Sequence, residues 1–466
     1  MKRILFVAVL LTTALLGAKA DVDPNFYIYI CFGQSNMEGN AQPESIDKNT
    51  STIDNRFRLL ATCNFSSPSR KLGNWYKATP PLVSPNGGLG PTDYFGRMMC
   101  ENLPQEVRIG VIPVAMGGSP IEMFDKDKYQ QKLKDNPNEW WATLAKNHYG
   151  GNPYGRIIEM AKKAQEVGVI KGILLHQGCS NCGDPNWPNM VKKIYNDMLK
   201  DLSLGADSVP LFVGEVEYKG AGTNSDSGGC ASHNSVVAKI PDVIPTGHVI
   251  SAEGCPGNNA DPWHFSALGY RILGSRYAAE GLYRLGVQYP YFSFHNYDLV
   301  ANKHCTVAEK TRTITVKSTG TGIATWTYPH FVDWSGYNYL IVKLKEPQDI
   351  GAEVWLYGKS KNVSYRDTIN ERTTVIIDLH NLKYNKTVMD PSKVYKMAFR
   401  ATKAGKIVLD DVYLTNDDSE VAAIRSVDAN NTPFRAPLYS LDGRLADPNA
   451  LKPGIYIRDG KKIVIR

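Results

Sequence analysis

A serine lies in the run Gly33-Gln34-Ser35-Asn36-Met37-Glu38-Gly39, directly after an apolar, strand-like stretch from Phe26 to Phe32. A serine hydroxyl becomes a nucleophile when a neighbouring base takes its proton, and a glycine-flanked turn at the end of a strand exposes one well. The same residue type is common in turns that do no chemistry, so the reading depends on what else the chain supplies. Three further stretches follow strand-like runs. Ala115-Met116-Gly117-Gly118-Ser119 leaves backbone N–H groups open to a bound oxygen, and is also the form of an ordinary strand-to-helix turn. His176-Gln177-Gly178 carries a side-chain amide that could donate to an oxyanion. Asp261-Pro262-Trp263-His264-Phe265 places a carboxylate three residues before an imidazole, where it can hold the tautomer and stabilise the imidazolium. Together these residue types suit acyl transfer through a serine.

The second of these stretches admits other chemistry. His176, Cys179 and Cys182 could ligate zinc, and Cys179 with Cys182 could form a redox pair. No fourth ligand stands at an informative spacing, and a structural disulfide or two free thiols account for the cysteines as well. Of the eight cysteines, Cys230 and Cys255 are expected to bridge, and Cys31, inside the first apolar run, is expected to pack as a small hydrophobe.

The elements that must hold these groups are legible as alternation. Apolar runs at Phe26–Phe32, Arg108–Ala115, Ile170–Leu175, Val209–Val216 and His248–Ala252 read as strands buried on both faces. Helical spacing appears over Asp93–Leu103 (capped by Thr92 or Asp93), Tyr154–Val167, Met190–Leu202 and Ser266–Leu285, with Ser266 a possible N-cap. The pattern predicts an α/β domain, a parallel sheet under helices on both faces, over residues 21–288. From 289 to 416 short alternating segments separated by turn residues predict an antiparallel β-sandwich. A polar junction from Asn416 to Glu420 then leads, within residues 417–466, to a small β segment that ends in a strand, an Asp459-Gly460 turn and a second strand.

Residues 1–20 read as a signal peptide: Lys2 and Arg3, an apolar run from Leu5 to Leu16, and an Ala18-Lys19-Ala20 cleavage site. The run is too short to span a bilayer, and no later stretch approaches the length needed. Without Lys2, Arg3 and Lys19 the formal charge falls from +7 to +4 with no basic run, which argues against a nucleic-acid partner. The expected product is exported, either secreted or at the cell surface.

The ordered set Gly-Gln-Ser-Asn-Met, Gly-Gly-Ser, His-Gln-Gly and Asp-x-x-His-Phe resembles the SGNH-hydrolase superfamily. Within it, the chain is most similar to the sialate O-acetylesterase-like group and to carbohydrate esterase family 6, which includes acetyl xylan esterases. The resemblance covers about Phe26 to Gly286. It implies a flavodoxin-like three-layer fold and a serine esterase with no metal and no cofactor. It further implies Ser35 as nucleophile, His264 as base and then acid, Asp261 as orienting carboxylate, and an oxyanion hole from the N–H groups of Ser35 and Gly118 with Gln177 as third donor. Relatives commonly read His-Gln-Gly-Glu; this chain has Cys179 there, and a neutral thiol cannot support an imidazolium. Trp75, Tyr76, Trp187 and Trp263 could supply sugar-stacking faces, chiefly Trp187 and Trp263. The expected activity is removal of acetyl groups from a plant polysaccharide such as xylan; a sialate O-acetylesterase and a catalytically silent glycan-binding protein are the alternatives. The sandwich resembles carbohydrate-binding domains. The C-terminus resembles the sorting domain of type IX secretion, which implies a secretion machinery as partner.

Overall fold

The computed structural model describes residues 22–221, 228–360, 362–431, 439–440, 446, 454–458 and 461–465. The leader expected over residues 1–20 and the expected Asp459-Gly460 turn lie outside these. Phe26–Gly33 (β1) is apolar at nearly every position because both of its faces are covered. With β2 (Phe57–Leu60), β3 (Trp75–Lys77), β4 (Arg108–Ala115), β5 (Val169–His176), β6 (Leu211–Gly214) and β7 (Gly247–Ile250) it forms one sheet in the order β3-β2-β4-β1-β5-β6-β7. All neighbours are parallel except the outer pair β2 and β3. The five strands expected from the sequence are β4-β1-β5-β6-β7 in spatial order, a doubly wound arrangement whose direction of winding reverses between β1 and β5. The short strands β2 and β3, which extend the β4 edge, had too few residues to register as alternation.

Helices α1 (Ser35–Glu38), α2 (Ser45–Lys48), α3 (Pro91–Asn102), α4 (Tyr129–Asp135), α5 (Trp140–Tyr149), α6 (Pro153–Gln165), α7 (Trp187–Asp201), α8 (Asn234–Val237), α9 (Ile240–Val243) and α10 (Ala267–Arg284) connect the strands. Ile28, Ile30 and Phe32 of β1 join a core with Trp141, Ile157 and Ile194 of α5, α6 and α7. Tyr29, on the opposite face of the strand, meets Phe95 of α3 edge-on at 4.8 Å between ring centres. On that side α3 and α10 lie so close that a Cβ on Gly274 would come within 2.4 Å of the Pro91 carbonyl oxygen. The sheet is therefore the middle of three layers. The N-terminus of α3 differs from expectation: Gly90 is its N-cap and Pro91 its first residue, a place where a missing N–H costs nothing. Ser266 does cap α10, accepting from the Gly269 N–H at 3.1 Å.

The chain divides into two compact units, Met1–Tyr289 and Pro290–Arg466. The second unit contains β8 (Leu299–Ala301), β9 (Cys305–Ala308), β10 (Thr313–Val316), β11 (Gly322–Val332), β12 (Tyr339–Leu344), β13 (Ala352–Tyr357), β14 (Val363–Thr368), β15 (Thr374–Asp378), β16 (Lys383–Tyr384), β17 (Thr387–Val388), β18 (Val394–Ala401) and β19 (Gly405–Thr415). Two antiparallel sheets, β15-β12-β19-β10-β9 and β14-β13-β18-β11-β8, make a β-sandwich, with β16 and β17 paired separately. Trp326 and Trp334 are buried in its core. Trp355 and Tyr357 are half-buried, with Arg400 over the indole at 4.9 Å and Lys396 over the phenol at 5.2 Å.

The polar junction opens a helix, α11 (Asp418–Asn431), rather than a linker. Asp417 caps it, its Oδ1 accepting from the N–H groups of Ser419 and Glu420. Strands β20 (Tyr439–Ser440), β21 (Gly454–Arg458) and β22 (Lys461–Ile465) follow as a small antiparallel sheet.

Candidate active site

Ser35 stands at the carboxyl end of β1, beside the point where the winding of the sheet reverses and where open α/β sheets leave a crevice. The turn into α1 requires glycine at 33. Its φ is +152°, and a Cβ would lie 2.1 Å from the His176 carbonyl oxygen at the end of β5. Gln34 continues the pairing by donating its N–H to that oxygen at 3.1 Å. The serine turn is thus pinned to the neighbouring strand.

Asn36 ties the turn to a distant loop. Its Nδ2 donates to the Trp263 carbonyl at 3.0 Å, and its Oδ1 accepts from the Tyr270 hydroxyl of α10 at 2.6 Å. That loop carries the other two groups. His264 Nε2 lies 2.8 Å from Ser35 Oγ, and His264 Nδ1 lies 2.8 Å from Asp261 Oδ2. With Nδ1–H given to the carboxylate, Nε2 is the acceptor for the serine proton. Asp261 is itself fixed: Oδ1 accepts from the N–H groups of Trp263 and His264, and Oδ2 from Asn258 Nδ2 at 2.9 Å. Partial burial raises the Asp261 carboxyl, but the bonds from Asn258, His264 and the Trp263 amide outweigh it and hold the group below the ordinary carboxylate range. The three residues singled out for nucleophilic chemistry are therefore brought into one hydrogen-bonded chain.

A cavity of about 460 Å³ opens over this chain, lined by Ser35, Gly118 and His264 among others. The Ser35 N–H belongs to the first residue of a one-turn helix and has no intrahelical acceptor. Gly118 has φ +77°, and its N–H has no acceptor among the described residues. The loop is held from below by Glu38, whose Oε2 accepts the Gly117 N–H at 2.7 Å while Oε1 accepts the Ser84 hydroxyl at 2.7 Å. Burial raises the Glu38 carboxyl, more than those two donors lower it. Two amides so placed can receive a developing oxyanion beside Ser35 Oγ.

Gln177 is not placed as the resemblance implies. Its side chain is buried away from the cavity, donating from Nε2 to Asn181 Oδ1 at 2.7 Å and to the Ser119 carbonyl at 3.3 Å, while Oε1 accepts from Trp187 Nε1 at 2.5 Å. With these partners it braces the loops beneath the site. Gln34 lines the cavity instead. Its Oε1 accepts from the N–H groups of Gly178 and Ser180 at 3.1 and 3.3 Å, which fixes the amide and leaves Nε2 as a donor beside Ser35. Gln34 was legible only as part of a motif, because nothing in its type indicates which way its amide faces.

The aromatics sort in the same way. Trp187 is fully buried at the start of α7, so it offers no face to a ligand. Trp75 packs on Phe26 at 4.9 Å, at the amino end of β1 and so at the opposite edge of the sheet from Ser35; Tyr76 is its neighbour on β3. Trp263 lines the cavity and is 47% exposed. Trp140 and Trp141, at the start of α5, also line it and were not anticipated.

The cysteines correct a second expectation. Cys230 bonds to Cys182 and not to Cys255. Cys182 follows β5 and Cys230 follows β6, adjacent strands whose loops meet, whereas Cys255 is buried against Arg276. With Cys182 in that bond, neither the zinc set nor the Cys179–Cys182 redox pair assembles. Cys179 lines the cavity; burial, and after it the Glu217 and Asp261 carboxylates, push its thiol up to about 12, so it stays neutral. Asp125, Asp127 and Asp197 approach closely enough for a cation, but Lys193 Nζ already bonds all three, at 2.8, 2.6 and 2.9 Å.

His176 lies beneath the site, fully buried, with Nε2 donating to the Glu215 carbonyl at 2.9 Å. Burial pulls its value down to about 4. The unfolded chain binds a proton on this imidazole below about pH 6.5 that the folded chain refuses until about pH 4, so stability rises with pH across that window. Its share amounts to about 2 kcal/mol between pH 5 and pH 7. His176→Gln, which can still donate to the Glu215 carbonyl, should lose about 2 kcal/mol less than the parent when urea unfolding is moved from pH 7 to pH 5. Equal losses in the two proteins would show that His176 does not contribute.

Solved structures similar to this chain include a protein from Arabidopsis thaliana, with 20% identity, covering 56% of this chain and 99% of that one at a TM-score of 0.42. A carbohydrate acetylesterase from Xanthomonas citri is similar at 14% identity, over 84% of this chain and 79% of that one, with a TM-score of 0.41. NanS is similar at 15% identity, over 57% of this chain and 99% of its own, also with a TM-score of 0.41. Residues 25–282, more than half of the chain, match the family model described as carbohydrate esterase, sialic acid-specific acetylesterase, and the chain belongs to that family.

Proposed function

We propose that this protein is an exported carbohydrate O-acetylesterase that works through Ser35, His264 and Asp261. The observation that carries the reading is the hydrogen-bonded chain from Ser35 Oγ through His264 to Asp261, open to a cavity that also holds the Gly118 N–H. Family membership supports an ester of a carbohydrate as the substrate. Ser35 Oγ bonds to the acetyl carbon while its proton passes to His264 Nε2. The oxyanion forms against the N–H groups of Ser35 and Gly118 and the Gln34 amide; a donor of this kind contributes on the order of 3 kcal/mol. The bond between the acetyl carbon and the sugar oxygen breaks, and the sugar alcohol leaves with the proton from His264. Water then attacks the acetyl-serine with His264 again as base, and acetate and free Ser35 result. The substrate is an acetylated glycan, with xylan and O-acetylated sialic acid as the two candidates. The leader-like residues 1–20 support export, and the ending Gly454 to Arg466 supports type IX sorting.

A catalytically silent glycan-binding protein is the second reading, favoured by the neutral Cys179 where relatives carry a glutamate. A fluorophosphonate probe separates the two. The expected result is one covalent adduct, mapped to Ser35 by peptide mass spectrometry, together with acetate release from acetylated xylan or O-acetylated sialic acid. Failure of Ser35 to react, or labelling at another serine alone, would overturn the esterase reading.

A further inference from the structure

The cavity over Ser35 has a charge and a shape that the reaction alone does not require. Two indoles stand at it: Trp140, 59% exposed, and Trp263, 47% exposed. They arrive from unrelated places, the first turn of α5 and the loop that carries His264. Large indoles left this open cost free energy in water, which makes paired exposure at the mouth of a polar cavity informative. Trp140 stands next to the oxyanion loop, its Nε1 3.7 Å from the place a Gly117 Cβ would take. Trp263 is held by Asn36 through its carbonyl and by Asp261 through its N–H, so the indole is carried on a braced backbone. Flat indole faces suit the C–H face of a neutral pyranose.

The charge points the same way. Glu139, immediately before α5, also lines the cavity and is exposed. It is the N-cap residue of that helix. Among the described residues lining the cavity none is a lysine or arginine, so a carboxylate on the substrate would meet Glu139 without a paired cation.

Resting on the esterase reading above, we propose that this site selects an uncharged acetylated sugar over an acidic one, with Trp140 and Trp263 as stacking faces and Glu139 as the group that repels a substrate carboxylate. Sialic acid carries such a carboxylate and acetylated xylose units do not.

The test compares three substrates at low ionic strength, where exposed charges are least screened: 4-nitrophenyl acetate, acetylated xylo-oligosaccharides and 9-O-acetyl-N-acetylneuraminic acid. The parent should show kcat/KM at least about tenfold higher on the xylo-oligosaccharides than on the sialic acid ester. Glu139→Gln should narrow that ratio by about threefold, through a higher value on the sialic acid ester, and added salt should narrow the parent's ratio likewise. Trp140→Ala and Trp263→Ala should each raise KM for the xylo-oligosaccharides by about tenfold, a larger change than either causes on 4-nitrophenyl acetate. Equal or better use of the sialic acid ester by the parent would overturn the proposal, as would Trp variants whose losses are the same on sugar and 4-nitrophenyl esters. A parent inert on 4-nitrophenyl acetate fails in a different way: it removes the esterase reading itself.

Discussion

Ser35→Ala should lower kcat for 4-nitrophenyl acetate hydrolysis by about 10⁶-fold, the scale on which a serine hydrolase responds when its nucleophile is removed. The loss is chemical. Ser35 Oγ has His264 Nε2 as its partner at 2.8 Å, and the residue sits in a turn held by Gly33, Gln34 and Asn36 rather than by its own side chain. Alanine therefore deletes the proposed attacking oxygen and should leave the turn, the cavity and the unfolding midpoint close to those of the parent. Steady-state hydrolysis with purified variant and parent, matched for circular dichroism, reads the effect. Activity in the variant within tenfold of the parent would place the nucleophile elsewhere.

Asp261→Asn should lower kcat by about 10⁴-fold, with about 1 kcal/mol lost in stability because its amide nitrogen also meets the Asn258 Nδ2 donor. Asp261 Oδ2 receives two donors, His264 Nδ1–H and Asn258 Nδ2. An asparagine can keep its carbonyl oxygen on the N–H groups of Trp263 and His264, which preserves the loop. Its amide nitrogen then faces both Asn258 Nδ2 and His264 Nδ1 as a donor. The imidazole answers by moving its proton to Nε2, and that nitrogen can no longer take the proton of Ser35. The effect should be large here because Cys179, pushed up to about 12 by burial, is neutral and contributes no second negative charge. Rates of the variant on 4-nitrophenyl acetate check this. A loss below about tenfold would mean that another carboxylate supports the imidazolium.

The α/β architecture was legible because a strand buried on both faces must be apolar throughout. Phe26–Phe32 and Arg108–Ala115 therefore stood out, and β1 and β4 run over nearly those residues. The sandwich was legible from alternation, as in Tyr339–Lys345 against β12. Short or polar elements were not. β2 and β3 hold only four and three residues, and α11 begins among charged residues whose cap, Asp417, reads equally as a turn.

The sequence by itself determined the order of the sheet-forming segments and the chemistry of the loops that follow them: a serine turn after β1, paired glycines after β4, and a carboxylate and imidazole after β7. Local rules suffice for these, since apolar periodicity and glycine turns act over a few residues. Only the tertiary structure decided which loops become neighbours. Cys230 found Cys182 rather than Cys255 because β5 and β6 lie side by side, and the Gln177 amide turned inward because Trp187 and Asn181 meet it there. Trp140 and Trp263, far apart in the chain, came to share one cavity for the same reason. Side-chain direction and loop adjacency are set by packing across hundreds of residues, which spacing along the chain does not encode.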